Sequence, residues 1–324
     1  MARILIDNIK QRRKDLSMTQ TDLASVSGLS LSLIKLIESN RTESTKDNFE
    51  KIADALNTDL EGIYIDDFRE TKVISIANNK GGSGKTTVSG NLAYALSMMG
   101  CKILLIDSDM QMNLSKSYGF EENVDNSIYN AFLKEESLLK YINKTDYENI
   151  DMIISDYDMA LADMMIFAKL QRENIFRNIL APVIETGLYD YVLIDTNPTL
   201  GITNLNCLSG SDFGIIPVEL SKFGIDGLST IFKFINNSVK KINSDFKVIG
   251  VLYNKVDLRE NITELAQEVI RKVFDGYIFN TQISTDTSVK KAQWVSTPVS
   301  VYSTKTRAAK QYKDLAKEVI KLAK

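Results

Sequence analysis

Two hydrophobic patterns divide the chain. Along residues 1–62 apolar positions recur at helical spacing and short polar turns interrupt them. That pattern predicts a small all-α domain. Thr19 can cap the helix TQTDLASVS, Gly28 ends it, and Ser30 can cap SLSLIKLIES, which stops near Asn40. Two short helices joined by a glycine-containing turn form a helix-turn-helix. A further helix over Asp47 to Leu56 closes the bundle. The acid-rich stretch 63–71 has no packing period and reads as a linker, or as the continuation of a helix.

From Lys72 onward continuous β-branched runs alternate with helical stretches. This predicts an α/β domain over 72–324, a mostly parallel sheet with flanking helices. Its first unit is KVISIANNKGGSGKTT, Lys72 to Thr87. Val73, Ile74 and Ile76 suit a strand covered on both faces. Gly81, Gly82, Ser83 and Gly84 allow a loop whose N–H groups point inward toward a polyphosphate. Lys85 adds a point charge, Thr86 a hydroxyl for Mg²⁺, and Thr87 leads into a helix expected over Val88 to Met99.

Two further strands end in acids, and ligands of open parallel sheets bind beyond the carboxyl ends of strands. KILLIDSDMQ delivers Asp107 and Asp109; YDYVLIDTNP buries Val192, Leu193 and Ile194 and delivers Asp195. DFGIIPVELSKFG is another strand that carries Pro217 into a turn and helix. FKVIGVLYNKVD ends in Asn254-Lys255-Val256-Asp257, the pattern by which many GTPases read guanine through the carboxylate. Residues 120–180 read as mainly helical after a short strand in IISDYDM. Met152, Met159, Met164 and Met165 fit as core filler.

Composition removes several chemistries. The 324 residues include no histidine, so no His-based triad or general base exists. Cys101 and Cys207 lie far apart in apolar or small-residue contexts and read as reduced core residues. The N-terminus lacks the apolar core of a signal peptide and no run approaches transmembrane length, so a cytoplasmic location is expected. The net charge of −3 hides two basic regions. Residues 1–46 hold eight basic and five acidic side chains, and residues 281–324 hold nine and three. The second excess suits non-specific phosphate binding. In the last helix Ala308, Tyr312, Leu315, Val319 and Leu322 form a stripe for docking rather than a membrane anchor.

Two resemblances follow. The loop K-G-G-x-G-K-T has Asn79 where a strict P-loop has glycine, and a second lysine, Lys80, at its entrance. With Asp107-x-Asp109-x-Gln111, Pro217-Val218, Ala292-Gln293, Pro298-Val299 and Tyr312, residues 72–324 resemble the deviant Walker A ATPases of the ParA/MinD superfamily, and ParA-type partition ATPases in particular. Residues 1–62 resemble phage Cro/C1-type DNA-binding domains through Arg13, Thr19-Gln20, Gly28-Leu29-Ser30, Ile37-Glu38 and Arg41. The sequence departs from the family at Asn197, where a proline is usual in the γ-phosphate-sensing loop.

The resemblance implies ATP and Mg²⁺ as ligands and ATP hydrolysis as the reaction. Lys80, Lys85 and Asp109 would be catalytic, Lys80 reaching a partner's nucleotide in an ATP-sandwich homodimer and Asp109 placing water. Thr86, Asp107 and Asp195 would serve the metal; Pro217 and Asn254 would lie along the nucleotide. Lys290, Lys291, Lys305 and Arg307 would hold DNA without regard to sequence. Ser30, Ser32 and Lys35 would read a specific site, flanked by Gln20 and Arg41. The implied role is plasmid or chromosome partition by a nucleoid-associated protein, with a centromere-binding ParB-like activator and autoregulation. The alternatives are an ATP-switched repressor that moves no cargo and a membrane-cycling positioning ATPase.

Overall fold

Helix caps set the first unit. In the computed structural model, which describes residues 2–42, 44–257, 259 and 261–324, the chain forms two units. One comprises residues 1–70 with 186–188, the other 71–185 with 189–324. In the first, strand β1 (Arg3–Ile4) precedes helices α1 (Ile6–Asp15), α2 (Gln20–Ser27), α3 (Leu31–Glu38) and α4 (Lys46–Ala55). Thr19 Oγ1 accepts from Asp22 N while the Asp22 carboxylate accepts from Thr19 N, a reciprocal cap on α2. Gly28 closes α2 at φ 69°, a left-handed conformation that glycine adopts without a Cβ penalty, and the Ser30 hydroxyl caps α3.

Ile9, Leu23, Ile34, Ile37, Phe49, Ile52 and Leu56 fill the bundle. Among them sits a charge: Glu38, 5% exposed. Arg13 binds it in bidentate fashion at 2.7 and 2.9 Å, and Gln20 Nε2 donates to it at 2.8 Å. One carboxylate thus ties α1, α2 and α3 together. Burial pushes the Glu38 carboxyl up, but the bonds from Arg13 and Gln20 outweigh it and leave it below the ordinary glutamate range. The expected linker differs at its start. Tyr64–Ile65 is a strand, β2, paired antiparallel with β1, and the Tyr64 ring stacks on Phe49 at 4.7 Å. Residues 63–65 therefore pack with the bundle because Tyr64 covers its apolar end.

The second unit is a seven-stranded sheet. Its strands are β3 (Lys72–Ile76), β4 (Ile103–Asp107), β5 (Asn143–Lys144), β6 (Ile150–Ile153), β7 (Tyr191–Asp195), β8 (Phe213–Glu219) and β9 (Lys247–Asn254). They lie in the order β5-β6-β4-β7-β3-β8-β9, all parallel except the edge strand β5. The helices are α5 (Lys85–Ser97), α6 (Asn113–Ser117), α7 (Ile128–Lys134), α8 (Ala162–Phe167), α9 (Ile175–Thr186) and α10 (Ile202–Ser209). After these come α11 (Lys222–Phe234), α12 (Lys240–Ile242), α13 (Asn261–Phe274), α14 (Thr287–Trp294), α15 (Val299–Tyr302) and α16 (Arg307–Leu322).

Strand alternation sorts the core into two layers. Ile74, Ile76, Leu105 and Leu193 pack with Leu92 and Leu96 of α5 and with Tyr312 and Leu315 of α16. Val73, Leu104, Ile106, Val192 and Ile194 pack on the other face with Phe132, Ile166, Phe176 and Cys207. Neither cysteine is in a disulfide; Cys101 is half-buried and Cys207 buried.

Several expectations change. Helix α5 begins at Lys85 rather than Val88 because Gly84, at φ 88°, caps it directly. Residues 120–180 hold strands β5 and β6 and 3-10 turns among shorter helices than expected. Met152 and Met159 are core, whereas Met164 is 66% exposed because α8 turns that side outward. In α16 the buried stripe stops at Val319, and Leu322 is 42% exposed. Among the described residues no helix is long and apolar enough to cross a membrane.

The Glu38 network generates a prediction with a definite sign. A carboxyl held below its ordinary range contributes stability that is present above that range and is lost as pH falls through it. Glu38→Gln, which leaves Arg13 half-buried without its anion, is expected to cost about 3 kcal/mol at neutral pH. Amide exchange of the full chain should then rise in α1 and α3 and leave the sheet unchanged; below the glutamate range wild type and variant should converge. Equal exchange at neutral pH would refute the role given to Glu38.

Candidate nucleotide site

The site begins with register. Ile76, Asp195 and Asp107 end the adjacent strands β3, β7 and β4, and each pairs across to the next. Two carboxylates therefore stand side by side at the carboxyl edge, both fully buried. Asp107 is saturated. Its Oδ2 accepts from Ser115 N at 2.9 Å and Ser115 Oγ at 2.8 Å, and its Oδ1 accepts from Asp109 N at 3.0 Å. Asp195 Oδ1 accepts from Ser89 Oγ at 3.2 Å, but its Oδ2 has no hydrogen-bond partner. Burial raises the Asp107 carboxyl to about 6; burial and the neighbouring Asp107 charge push Asp195 well above the ordinary aspartate range, against the nearby Thr86 hydroxyl and Lys85, which pull it down.

Lys85 is the nearby cation. It starts α5, is 6% exposed, and burial lowers its pKa although Asp195 and Asp109 pull the other way. The loop before it is held from below and from the side. Asn78 Nδ2 donates to Pro217 O at 2.7 Å and Asn78 Oδ1 accepts from Lys80 N at 3.0 Å. Asn254 Nδ2 donates to Ser83 O at 2.8 Å and Lys255 Nζ to Gly82 O at 2.6 Å. Gly84 is obligatory here: a Cβ at that position would meet Asn254 Nδ2 at 2.2 Å, besides the positive φ. With those carbonyls occupied, the loop is free to turn its N–H groups to a ligand.

A cavity of about 700 Å³ opens over this loop. That is the volume class of a nucleotide pocket. Gly81, Gly82, Gly84, Lys85, Thr86, Thr87, Asp109 and Asn254 line it, with Lys255, Ser284, Thr285, Lys290 and Gln293 on the far side. Among the described residues no group of three or more Asp, Glu or Cys side chains could hold a metal by itself. The unpartnered Asp195 Oδ2 and the Thr86 hydroxyl nonetheless fit a Mg²⁺ that draws its other oxygens from phosphate and water.

Some expected site residues lie elsewhere. Asp107 is sealed behind Ser115 and does not line the cavity; Pro217 is buried inside β8 and acts through its carbonyl on Asn78. Asn254 spends its amide on the loop. Asp257, the carboxylate that would face guanine, is bound by Arg259 at 2.8 Å, is held down to about 2 by that pairing, and does not line the cavity. Lys80, at the loop entrance, does not line the cavity; its Nζ lies 3.3 Å from Ser221 Oγ and 6.0 Å from the Phe223 ring. Sequence reasoning missed Asn78, Ser89, Lys255 and Gln293. Lys255 had a signal in its place beside Asn254, and Gln293 in the Ala292-Gln293 pair, but neither pattern gave the side chain's role.

For the DNA candidates the structure separates structural from available groups. Gln20 is tied to Glu38, and the Ser30 hydroxyl accepts from Leu33 N. Ser32, Lys35 and Arg41 are exposed, with Ser32 and Lys35 one turn apart on α3. Lys290, Lys291 and Lys305 are exposed, and Arg307 donates to Thr285 O at 2.6 Å.

A parallel sheet with a glycine loop between its central strand and a helix, and acids at the neighbouring strand ends, defines a P-loop nucleotide-binding fold. The AAA domain profile matches residues 71–248 and the helix-turn-helix profile residues 9–63. The sporulation initiation inhibitor protein Soj of Bacillus subtilis is 33% identical over 249 residues, covering 76% of this chain and 98% of Soj. The chromosome partitioning protein ParA of Myxococcus xanthus is 29% identical, covering 77% of this chain and 88% of that protein. The septum site-determining protein MinD of Pyrococcus horikoshii, solved with Mg-ADP, superposes with a TM-score of 0.63 at 26% identity, covering 78% and 97% of the two chains. The chain belongs to the ParA/Soj family of P-loop ATPases and carries an N-terminal helix-turn-helix domain.

The two roles open to Asn254 separate experimentally. If it acts by holding Ser83, Asn254→Ala should weaken ATP, GTP and tripolyphosphate alike, by about tenfold. A loss confined to one nucleotide, measured by calorimetric titration, would instead make Asn254 a base reader.

Proposed function

We propose that this chain is a partition ATPase that hydrolyses ATP with Mg²⁺, pairs with a second copy around the nucleotide, and holds DNA in that paired state. The observation that carries the reading is the second lysine at the loop entrance, outside the cavity lining. Lys85 already supplies the cation beneath the loop, so Lys80, half-buried beside Ser221 and Phe223, is surplus to a single site. A lysine at the loop entrance that does not serve its own cavity suits the phosphates of a facing subunit.

In this reading Lys85 and the loop N–H groups hold the phosphates. Thr86 and Asp195 would hold Mg²⁺, which when bound spreads the phosphate charge. Asp109 lines the cavity and its Oδ1 accepts from Gln111 N at 3.0 Å, which leaves Oδ2 to orient water. Asp107 holds the Asp109 backbone and is a positioning residue. The occupied Asp257 supports adenine over guanine. Among the described residues the cavity lining contains no arginine, which supports slow hydrolysis until a centromere-binding, ParB-like partner acts. The basic C-terminal region would hold bulk DNA and the helix-turn-helix one operator or centromere site, where Ser32, Lys35 and Arg41 are the available readers.

Binding to long random-sequence DNA tests this, measured with no nucleotide, ADP, ATP, and ATP with Lys80→Ala. Cooperative binding that needs ATP, falls steeply with salt and drops at least tenfold in the variant is expected. Binding that ignores nucleotide and Lys80 and is confined to one short site would make the protein a repressor instead.

A further inference from the structure

The chain has one tryptophan, Trp294, and it is 91% exposed. It ends α14, and Lys290 and Lys291 lie four and three residues before it, on the same side of the helix. The support beneath is rigid. Ser288 and Ala292 are buried, Asp286 caps the helix through Ser288 N, and the same carboxylate accepts from Ala308 N. So open an indole leaves its ring face available to a partner, and tryptophan is enriched at interfaces. At its inner edge, Gln293 Nε2 donates to Thr87 Oγ1 at 2.8 Å, across 206 positions of chain, and Gln293, Lys290 and Thr87 all line the nucleotide cavity.

The chemistry of the outer face selects its occupant. Two lysines beside a bare indole fit a polymer that alternates phosphates with flat rings, since bases stack on aromatic side chains while cations track the backbone. A bilayer would want an apolar face, but besides Trp294 the outward positions of α14 are Thr287, Lys290 and Lys291, and only Val295, just past its end, adds exposed apolar surface beside the indole. We propose that α14 is a nucleotide-responsive docking helix for unpaired stretches of DNA, in which Trp294 stacks on an exposed base and Lys290 and Lys291 hold the flanking phosphates. A nucleotide phosphate that takes the Thr87 hydroxyl competes with Gln293, so filling the cavity frees the helix edge. The inference rests on the reading of the C-terminal region as a DNA surface and adds base contact and a nucleotide link to it.

The full chain with ATP, titrated with an oligothymidylate while Trp294 fluorescence is followed, provides the test. Quenching is expected, and Trp294→Ala, read by anisotropy of labelled DNA, should weaken binding about tenfold with the salt slope unchanged. Trp294→Phe should recover most of it, and an abasic oligonucleotide should bind wild type no better than Trp294→Ala does. Lys290→Ala and Lys291→Ala should each lower the salt slope by about one. Gln293→Leu should raise nucleotide-free DNA binding toward the ATP level. If the lysine variants lose affinity but Trp294→Ala does not, base stacking is wrong and the DNA surface stands. If neither matters, the DNA surface is wrong as well. Unchanged nucleotide dependence in Gln293→Leu overturns the link, and quenching by phosphatidylserine vesicles but not by DNA overturns the choice of occupant.

Discussion

The catalytic unit depends on two acids that the sheet register forces together out of water. Asp107 and Asp195 end neighbouring parallel strands, so no side-chain motion can separate them, and both are fully buried. Burying one carboxylate without compensation is costly, and burying two is worse. The fold answers asymmetrically. Ser115 and the Asp109 N–H saturate Asp107, while Asp195 keeps one oxygen unpartnered and faces Lys85. The local electrostatics are thus left short of positive charge at one point, and a divalent cation with its phosphate oxygens would complete them. Ligand binding and folding of this edge are one energetic problem.

The glycine loop is the second consequence. A loop that offers its N–H groups to an anion must dispose of its carbonyls elsewhere. Asn254 and Lys255, from the end of β9, take Ser83 O and Gly82 O, and Asn78 ties the loop entrance to Pro217 in β8. Strands β8 and β9 thereby reach the site through the loop rather than through a ligand. Pro217 thus acts on the loop through its carbonyl, and Asn254, which also lines the cavity, through its amide nitrogen. The loop also gives the third route outward, from Thr87 through Gln293 to α14.

Much of this was legible before the structure. The caps Thr19, Gly28 and Ser30, the buried runs of β3, β4 and β7, and the glycine loop are all local, set by one residue type at one spacing. What escaped was set by distant partners. Nothing in Asp107-Ser108-Asp109 says which acid faces the cleft, because Ser115 on the following helix decides it. Gln20 looks free until Glu38, eighteen residues on, claims it. Met164 follows the apolar pattern of its neighbours, yet the short α8 leaves its side exposed. Residues 63–65 lack a helical period because they make a two-residue strand whose partner is the N-terminus.

The most direct measurement is the thermal midpoint of the full chain, wild type and Asp195→Asn, without nucleotide, with ATP and EDTA, and with ATP and Mg²⁺. The account predicts that Mg²⁺ adds a second stabilisation to that of ATP in wild type, several degrees for a chain of this size. Asp195→Asn should keep the metal-free gain and lose the Mg²⁺ increment. An increment that survives in the variant, or is absent from wild type, would contradict the claim that the buried carboxylate edge is completed by the metal and its nucleotide.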